Sequence, residues 1–335
     1  MTAFVPASKS GRVRLEARIE TWPIEGAFTI SRGAKREAVV VVADVSDGTH
    51  SGRGECTPYP RYHETPQATL ATVQGLRGDV ACDRALLQTT LPPCAARNAI
   101  DCALWDLEAK SSGRSIWDLT GVTPKTLTTV FTIGIEATPE IMAGHAAAAA
   151  EYPLLKVKLD ANQPLERVRA IRSARPDARI VVDANQGWDL ATLKRLAPAL
   201  ADLGIEMIEQ PLPRGADEGL EGYRSPVPLG ADESCLHLGE LAAAARRYQV
   251  INIKLDKTGG LSHALELARA ARERGLGLMV GCMAGSSLAI APAFVVGCLV
   301  DLVDIDGPLL LKRDRIPGLA YSRGRVEPPP AAVWG

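Results

Sequence analysis

With 335 residues, 46% of them hydrophobic and 23% charged, and a formal net charge of -1, the chain has the composition of a globular protein larger than one ordinary domain. That balance excludes a basic nucleic-acid surface and a polybasic membrane anchor. The seven cysteines are odd in number and scattered without a C-x-x-C, which argues against a disulfide framework or a zinc site and for reduced thiols in a cytosolic protein.

The N-terminal third reads as strands followed by helix. Met1 to Leu15 lack the apolar stretch of a signal peptide. Arg12 to Ile19 and Ala38 to Val45 are rich in β-branched residues and predict strands, the second ending at an Asp47-Gly48 turn. Ala95 to Lys110 carries Ala99, Cys102, Ala103, Leu107 and Ala109 at helical spacing, with Gly113 as a stop. Together these predict an α+β module over residues 1–124.

From Thr128 the pattern changes to short apolar strand, loop and alanine- and leucine-rich helix. The predicted strands are Thr128 to Ile135, Leu154 to Leu159, Arg179 to Ala184, Met207 to Glu209, Pro228 to Ala231, Val250 to Leu255, Leu276 to Gly281 and Leu302 to Ile305. Eight strands with helices between them favour a (β/α) barrel over residues 125–320 rather than an open doubly wound sheet. The run Ala146 to Ala150 predicts a helix packed closely on that barrel. The longest apolar run, Leu288 to Val300, contains Pro292 and Gly297 and falls short of the roughly 20 residues that span a bilayer. Residues 321–335 are expected to return to the N-terminal module.

Five ionisable residues and a pair of aspartates punctuate the predicted strand ends. Lys158, Asp183, Glu209, Asp232 and Lys254 follow one another at steps of 25, 26, 23 and 22 residues, about the length of one βα unit, and Asp304 and Asp306 lie about two steps further on. Strand ends on one face of a barrel converge on a single site. In Leu154-Leu155-Lys156-Val157-Lys158, period two puts both lysines on one side, and their mutual repulsion would lower a pKa toward the range of a general base. A solvated strand end would carry two lysines equally well. Asp183, Glu209 and Asp232 close apolar strands; one such carboxylate would be read as a helix cap, but three in register suit a hard cation, Mg²⁺ first and Mn²⁺ second. Lys254 falls across the ring from Lys158, so a substrate held at the cation would have a lysine on each face. That arrangement suits removing a proton from one side of a carbon and returning it on the other. Asp304 and Asp306, two apart on one strand face, can bind an ammonium or simply hydrogen-bond at the strand end.

The set Lys156-Val157-Lys158, Asp183-Ala184-Asn185, Glu209-Gln210-Pro211, Ala231-Asp232-Glu233-Ser234 and Asn252-Ile253-Lys254 resembles the muconate-lactonizing branch of the enolase superfamily. Asp304-Ile305-Asp306 is similar to the D-x-D of dipeptide epimerases. The segments Gly54 to Tyr62, Asp256-Lys257-Thr258-Gly259-Gly260 and Gly281-Cys282-Met283 resemble the L-Ala-D/L-Glu epimerase group.

The resemblance implies an α/β fold, a (β/α)-barrel of enolase-superfamily type with an N-terminal α+β capping domain. It implies Lys158 and Lys254 as catalytic bases, Lys156 as their support, and Asp183, Glu209 and Asp232 as metal ligands. Asp304 and Asp306 would bind the ammonium of a small dipeptide, with Thr132 and Met283 as further substrate-binding positions. Arg32 in the first capping loop would read an acidic side chain, supported by Arg61 and His63. The expected reaction is inversion of the C-terminal residue of a dipeptide in cell-wall peptide metabolism. N-acylamino acid racemisation, o-succinylbenzoate synthesis and cycloisomerisation on the same scaffold remain alternatives, as does a non-catalytic binding protein. A homo-oligomer stays open.

Overall fold

The computed structural model describes residues 13–30, 33–76 and 83–335. The N-terminal unit starts with β1 (Arg14–Ile30), β2 (Gly33–Ser46) and β3 (Ser51–Cys56), an antiparallel meander in that order. The β2–β3 turn is tied by Asp47, whose Oδ1 accepts from the backbone of Thr49 at 2.8 Å and His50 at 2.7 Å. Helices α1 (Pro66–Gly75), α2 (Arg84–Thr90), α3 (Ala95–Ser112) and α4 (Ile116–Thr120) follow. The expected helix thus extends two residues further, ending where Gly113 turns left-handed at φ 67. The strand over Ser51–Cys56 was not anticipated. Its glycines explain both its place and its disguise: a Cβ on Gly52 or Gly54 would lie 2.1 and 2.0 Å from the carbonyls of Ala103 and Ala99, so β3 lies directly on α3.

Helix α3 is buried on nearly every side because it separates that sheet from the barrel. One face packs Ala96, Ala99, Ile100 and Ala103 against Val41, Ala43 and Val45. The other carries polar groups that reach across: Arg97 donates to the carbonyls of Thr258 (2.6 Å) and Gly259 (3.0 Å), Asn98 donates to Asp256 (2.8 Å), and Asp101 accepts from Ser262 Oγ (2.6 Å). Buried polar groups with every partner in place define the docking geometry better than apolar packing alone.

Eight strands form the second sheet: β5 (Phe131–Ile133), β6 (Leu154–Lys158), β7 (Arg179–Asp183), β8 (Ile205–Glu209), β9 (Leu229–Ala231), β10 (Val250–Ile253), β11 (Gly277–Val280) and β12 (Leu302–Val303). They lie in sequence order, every measured pairing parallel. The sheet curls until Val130 N–H donates to Val303 O at 2.9 Å, linking its first and last strands. Helices α5 (Pro139–Ala148), α6 (Pro164–Ala174), α7 (Leu190–Asp202), α8 (Leu241–Ala244), α9 (Leu255–Thr258), α10 (Leu261–Glu273) and α11 (Ser287–Gly297) fill the crossovers.

Two expectations need correction. The predicted first strand is two: Leu127–Thr128, here β4, pairs antiparallel with β14 (Arg325–Val326), itself paired with β13 (Tyr321–Ser322), and only Phe131–Ile133 joins the barrel. The alanine run ends its helix at Ala148, and within α5 only Met142 and Ala146 are buried. Beyond β14 the chain runs to α3, where Trp334 Nε1 donates to Cys102 O at 3.0 Å and Gly335 N–H to Asp106 Oδ1 at 2.8 Å. The apolar run from Leu288 lies in α11, buried throughout from Ser287 to Gly297 apart from Ala289, and no helix among the described residues is long and apolar enough to cross a membrane.

Candidate active site

The barrel interior is layered by the period of its strands. Leu154, Val181, Met207, Met279 and Leu302 pack together as an apolar floor. Two residues further along stand Lys156, Asp183, Glu209 and Asp304, with Lys158 and Asp306 another two beyond. Within β6, β7 and β8 alternation dictates this, since a residue two places on from an inward floor residue also points inward; Asp304 and Asp306 lie past the end of β12, where the chain turns. Register aligns the rungs, since Lys158 pairs with Asp183 and Asp183 with Glu209 across neighbouring strands.

All of these side chains are buried, as are Asp232 and Lys254. Lys158 Nζ donates to Asp183 Oδ2 at 2.6 Å, and Lys254 Nζ to Asp232 Oδ2 at 2.7 Å. The lysines therefore approach the carboxylates from the second and sixth barrel strands, on opposite sides of the ring. Gly281 makes space for this: a Cβ there would fall 2.8 Å from Lys254 Cε and 2.7 Å from Asn252 Oδ1.

Lys156 sits among three carboxylates: Asp304 at 2.6 Å, Glu209 at 2.8 Å and Asp183 at 3.3 Å. Burial works against its charge, but Asp304, Glu209 and Asp183 outweigh that penalty and hold its pKa well above the usual lysine value. Lys254 is likewise pushed up, Asp232 and Glu209 overcoming burial. Burial also opposes ionisation of Asp183 and Asp232, yet their lysine partners win and lower both. Glu209 goes the other way, raised by burial and by Asp183.

The ammonium site is changed in detail. Asp304 is engaged by Lys156, while Asp306 Oδ2 accepts the Thr132 backbone N–H at 2.9 Å. Burial first and then Asp304 raise the Asp306 carboxyl to about 7. Thr132 thus meets the site through its backbone. Met283 lies half-buried in the loop after β11. Arg32 lies outside the described residues. Arg61, expected to help read a side chain, is paired with Glu233 beside Asp232 instead. With Tyr62 and His63 it lines one wall of a cavity of about 530 Å³ between the N-terminal unit and the barrel, which Gln186, Arg214 and Lys257 line from the barrel side.

Sequence reading missed Lys257 as a site residue. Its fully buried ammonium lies 2.7 Å from both Asp232 Oδ1 and Asp232 O and 2.8 Å from Asn252 O, so Asp232 is held between two lysines. Asn252, whose Nδ2 donates to Glu209 Oε1 at 2.7 Å, was also missed, although period two from Val250 through Lys254 carries the signal.

Two observations bear on a divalent cation. Asn185 Oδ1, Glu209 Oε2, Glu233 Oε2 and Asn252 Oδ1 are buried acceptors without a hydrogen-bond partner; Glu209 Oε2 has the Lys156 ammonium at ion-pair distance only. Unsatisfied oxygens beside three carboxylates match the donor chemistry of Mg²⁺. Among the described residues, however, the acidic and thiol donors that converge within 4.8 Å are Cys282, Asp304 and Asp306 rather than Asp183, Glu209 and Asp232. The lysine ammoniums lie between the three carboxylates, so a cation there takes over contacts that the lysines make.

Residues 13–121 match the N-terminal domain of mandelate racemase and muconate lactonizing enzyme, and residues 141–331 match the enolase C-terminal domain-like family. The chain belongs to the enolase superfamily. Within that superfamily it is 45% identical to the L-Ala-D/L-Glu epimerase of Escherichia coli over 92% of this chain and 97% of the relative. It is 42% identical to the N-acetyl-D-glutamate racemase of a Pseudoalteromonas species, over 88% and 95%. A superfamily member from Agrobacterium tumefaciens with homology to dipeptide epimerases, solved with sodium and L-Ala-L-Glu, superposes with TM-score 0.94 at 44% identity, covering 96% of this chain and all of the other. The dipeptide epimerase of Enterococcus faecalis, complexed with Mg and L-Leu-L-Tyr, gives 0.86 at 27% identity, with 95% and 97% covered.

Proposed function

We propose that this chain is a cytosolic dipeptide epimerase that inverts the α-carbon of the C-terminal residue, with L-Ala-D/L-Glu as its first substrate and cell-wall peptides as the source. Residues 1–124 form the cap, and residues 125–320 the barrel that carries the chemistry. The observation that carries this reading is the placement of Lys158 and Lys254 on opposite sides of a buried carboxylate ring, with Asp304 and Asp306 on the adjoining wall. The E. coli and A. tumefaciens relatives support the dipeptide class, and the six described cysteines, all free, support a reducing compartment.

Asp183, Glu209 and Asp232 would hold Mg²⁺, or Mn²⁺ in its place. When bound, the cation supplies positive charge at the substrate carboxylate, where charge builds as the α-proton leaves. The chain's own residues do the rest. Lys158 faces the α-carbon from one side and Lys254 from the other, so one accepts the proton while the opposite ammonium delivers its own. Lys156 keeps its proton and places a fixed positive charge beside Asp183 and Glu209. Lys257 and Asn252 fix the orientation of Asp232 and Glu209. Asp306 receives the substrate ammonium, and Arg32 reads the acidic side chain.

N-acylglutamate racemisation is the second reading. It is favoured by the Lys156–Asp304 ion pair, which leaves the ammonium wall with less free negative charge, and by the 42% identical racemase. L-Ala-L-Glu incubated in D₂O with Mg²⁺ separates the two. The epimerase reading expects deuterium at the glutamate α-carbon and appearance of the L,D diastereomer. Turnover of N-acetylglutamate with no exchange in any dipeptide would establish the second reading instead.

A further inference from the structure

Glu55, at the end of β3, is fully buried and lies at the meeting of three parts of the chain: the cap, the loop after β11, and the segment after β12. Its Oε1 accepts the Ser286 backbone N–H at 2.7 Å. Its Oε2 accepts the Ser286 hydroxyl and the Arg315 guanidinium, the latter at 2.7 Å. Arg315 also reaches Ser286 Oγ at 2.6 Å and Glu20 at 2.6 Å. One residue pair further on, Thr57 Oγ1 donates to Ala284 O at 3.2 Å. Gly285 has no side chain where one would crowd Glu55, since a Cβ there would lie 3.1 Å from Oε1. The cap thus holds residues 284–286 by hydrogen bonds at Ala284 and Ser286 and by close packing at Gly285 between them.

That loop is one wall of the ammonium site. The Cys282 thiol lies within 4.8 Å of a carboxylate oxygen of both Asp304 and Asp306. Gly307, the residue after Asp306, accommodates the loop at close range: a Cβ there would meet Met283 O at 2.9 Å, Cys282 Sγ at 3.3 Å and Gly285 N at 3.5 Å. A shift of the loop therefore displaces the turn that carries Asp306. The hydrogen-bonding directions of Glu55 are filled by Ser286 and Arg315, so it acts through them and does not touch substrate.

We infer that Glu55 is a positioning residue for recognition of the substrate's amino terminus: through Ser286 and Arg315 it sets the 282–286 loop against Asp304 and Asp306. The inference rests on the dipeptide reading above. Removing the charge while keeping the shape, as in Glu55→Gln, loosens the loop and weakens the ammonium contact without moving Lys158 or Lys254.

The test measures kcat and KM for L-Ala-L-Glu, and the inhibition constant of its N-acetylated copy, in the wild type, Glu55→Gln and Ser286→Ala. The wild type should bind the free amine more tightly than the acetylated form. In Glu55→Gln, KM for the dipeptide should rise about tenfold with kcat within about twofold, while the acetylated inhibitor binds as before. Ser286→Ala, which removes one hydroxyl and leaves the Glu55–Arg315 pair in place, is the second variant and should shift the same ratio in the same direction. Equal weakening of both ligands, a fall in kcat at unchanged KM, or no change in the ratio would overturn the positioning role alone. A wild type that treats both ligands alike would overturn the dipeptide reading and this inference with it.

Discussion

The floor of the barrel and the charged layer above it are built from the same strands by the same alternation, yet they carry opposite burdens. Leu154, Val181, Met207, Met279 and Leu302 fill space and need nothing but packing. Two residues on from these stand Lys156, Asp183, Glu209, Gly281 and Asp304, and the four buried charges are tolerable because the Lys156 ammonium lies among the three carboxylates. Position along one strand thus separates stability from chemistry by a distance of two residues, and substitutions in the two layers should fail differently.

The largest effect is expected in the upper layer. Lys254→Met should reduce epimerisation by about 10³-fold, within the range for loss of a general acid or base, as assayed by turnover; it also takes one of the two lysines from buried Asp232, so the unfolding midpoint in a urea titration should fall as well. In the floor, Met207→Ala should lower stability by about 2–5 kcal/mol in the same titration while leaving turnover per folded molecule nearly intact. Gly281→Ala tests the boundary between the layers: the new methyl collides with Lys254 and Asn252, and misplacing a base by about 1 Å should cost about 10²-fold in kcat.

A smaller effect is expected from pH. Asp306 is raised to about 7 by burial and Asp304, so it loses its negative charge as pH falls through that value, and KM for a dipeptide should rise below about pH 7 while that of an N-acylated substrate stays flat. The sign for stability is the reverse of the usual carboxylate. With the folded pKa above the unfolded 3.8, ionising Asp306 costs stability progressively as pH rises from about 4 to about 7, unless a cation or ammonium sits beside it.

The upper layer was largely legible in the sequence because each rung ends an apolar strand, and spacing near 25 residues marks one βα unit. Its partners were less so. Lys156 and Asp304 meet across 148 positions of sequence, and nothing local tells that the lysine is paired rather than repelled. Lys257 reads as a polar residue in the first turn of a helix, and only the fold turns its ammonium under Asp232. In the cap, the glycines of β3 masked a strand, since the residues that let it lie on α3 are those that propensity counts against strands. Arg32 rests on loop resemblance alone, and Arg61, its expected supporter, pairs with Glu233.

In the proposed mechanism Lys158 and Lys254 face opposite sides of one α-carbon. Its most direct test is deuterium exchange in D₂O at the C-terminal α-carbon of L-Ala-L-Glu and L-Ala-D-Glu, measured separately for Lys158→Ala and Lys254→Ala. The predicted result is complementary: each variant loses exchange from one diastereomer and retains it from the other, in opposite senses. Equal residual exchange from both diastereomers in either variant would contradict a two-sided site.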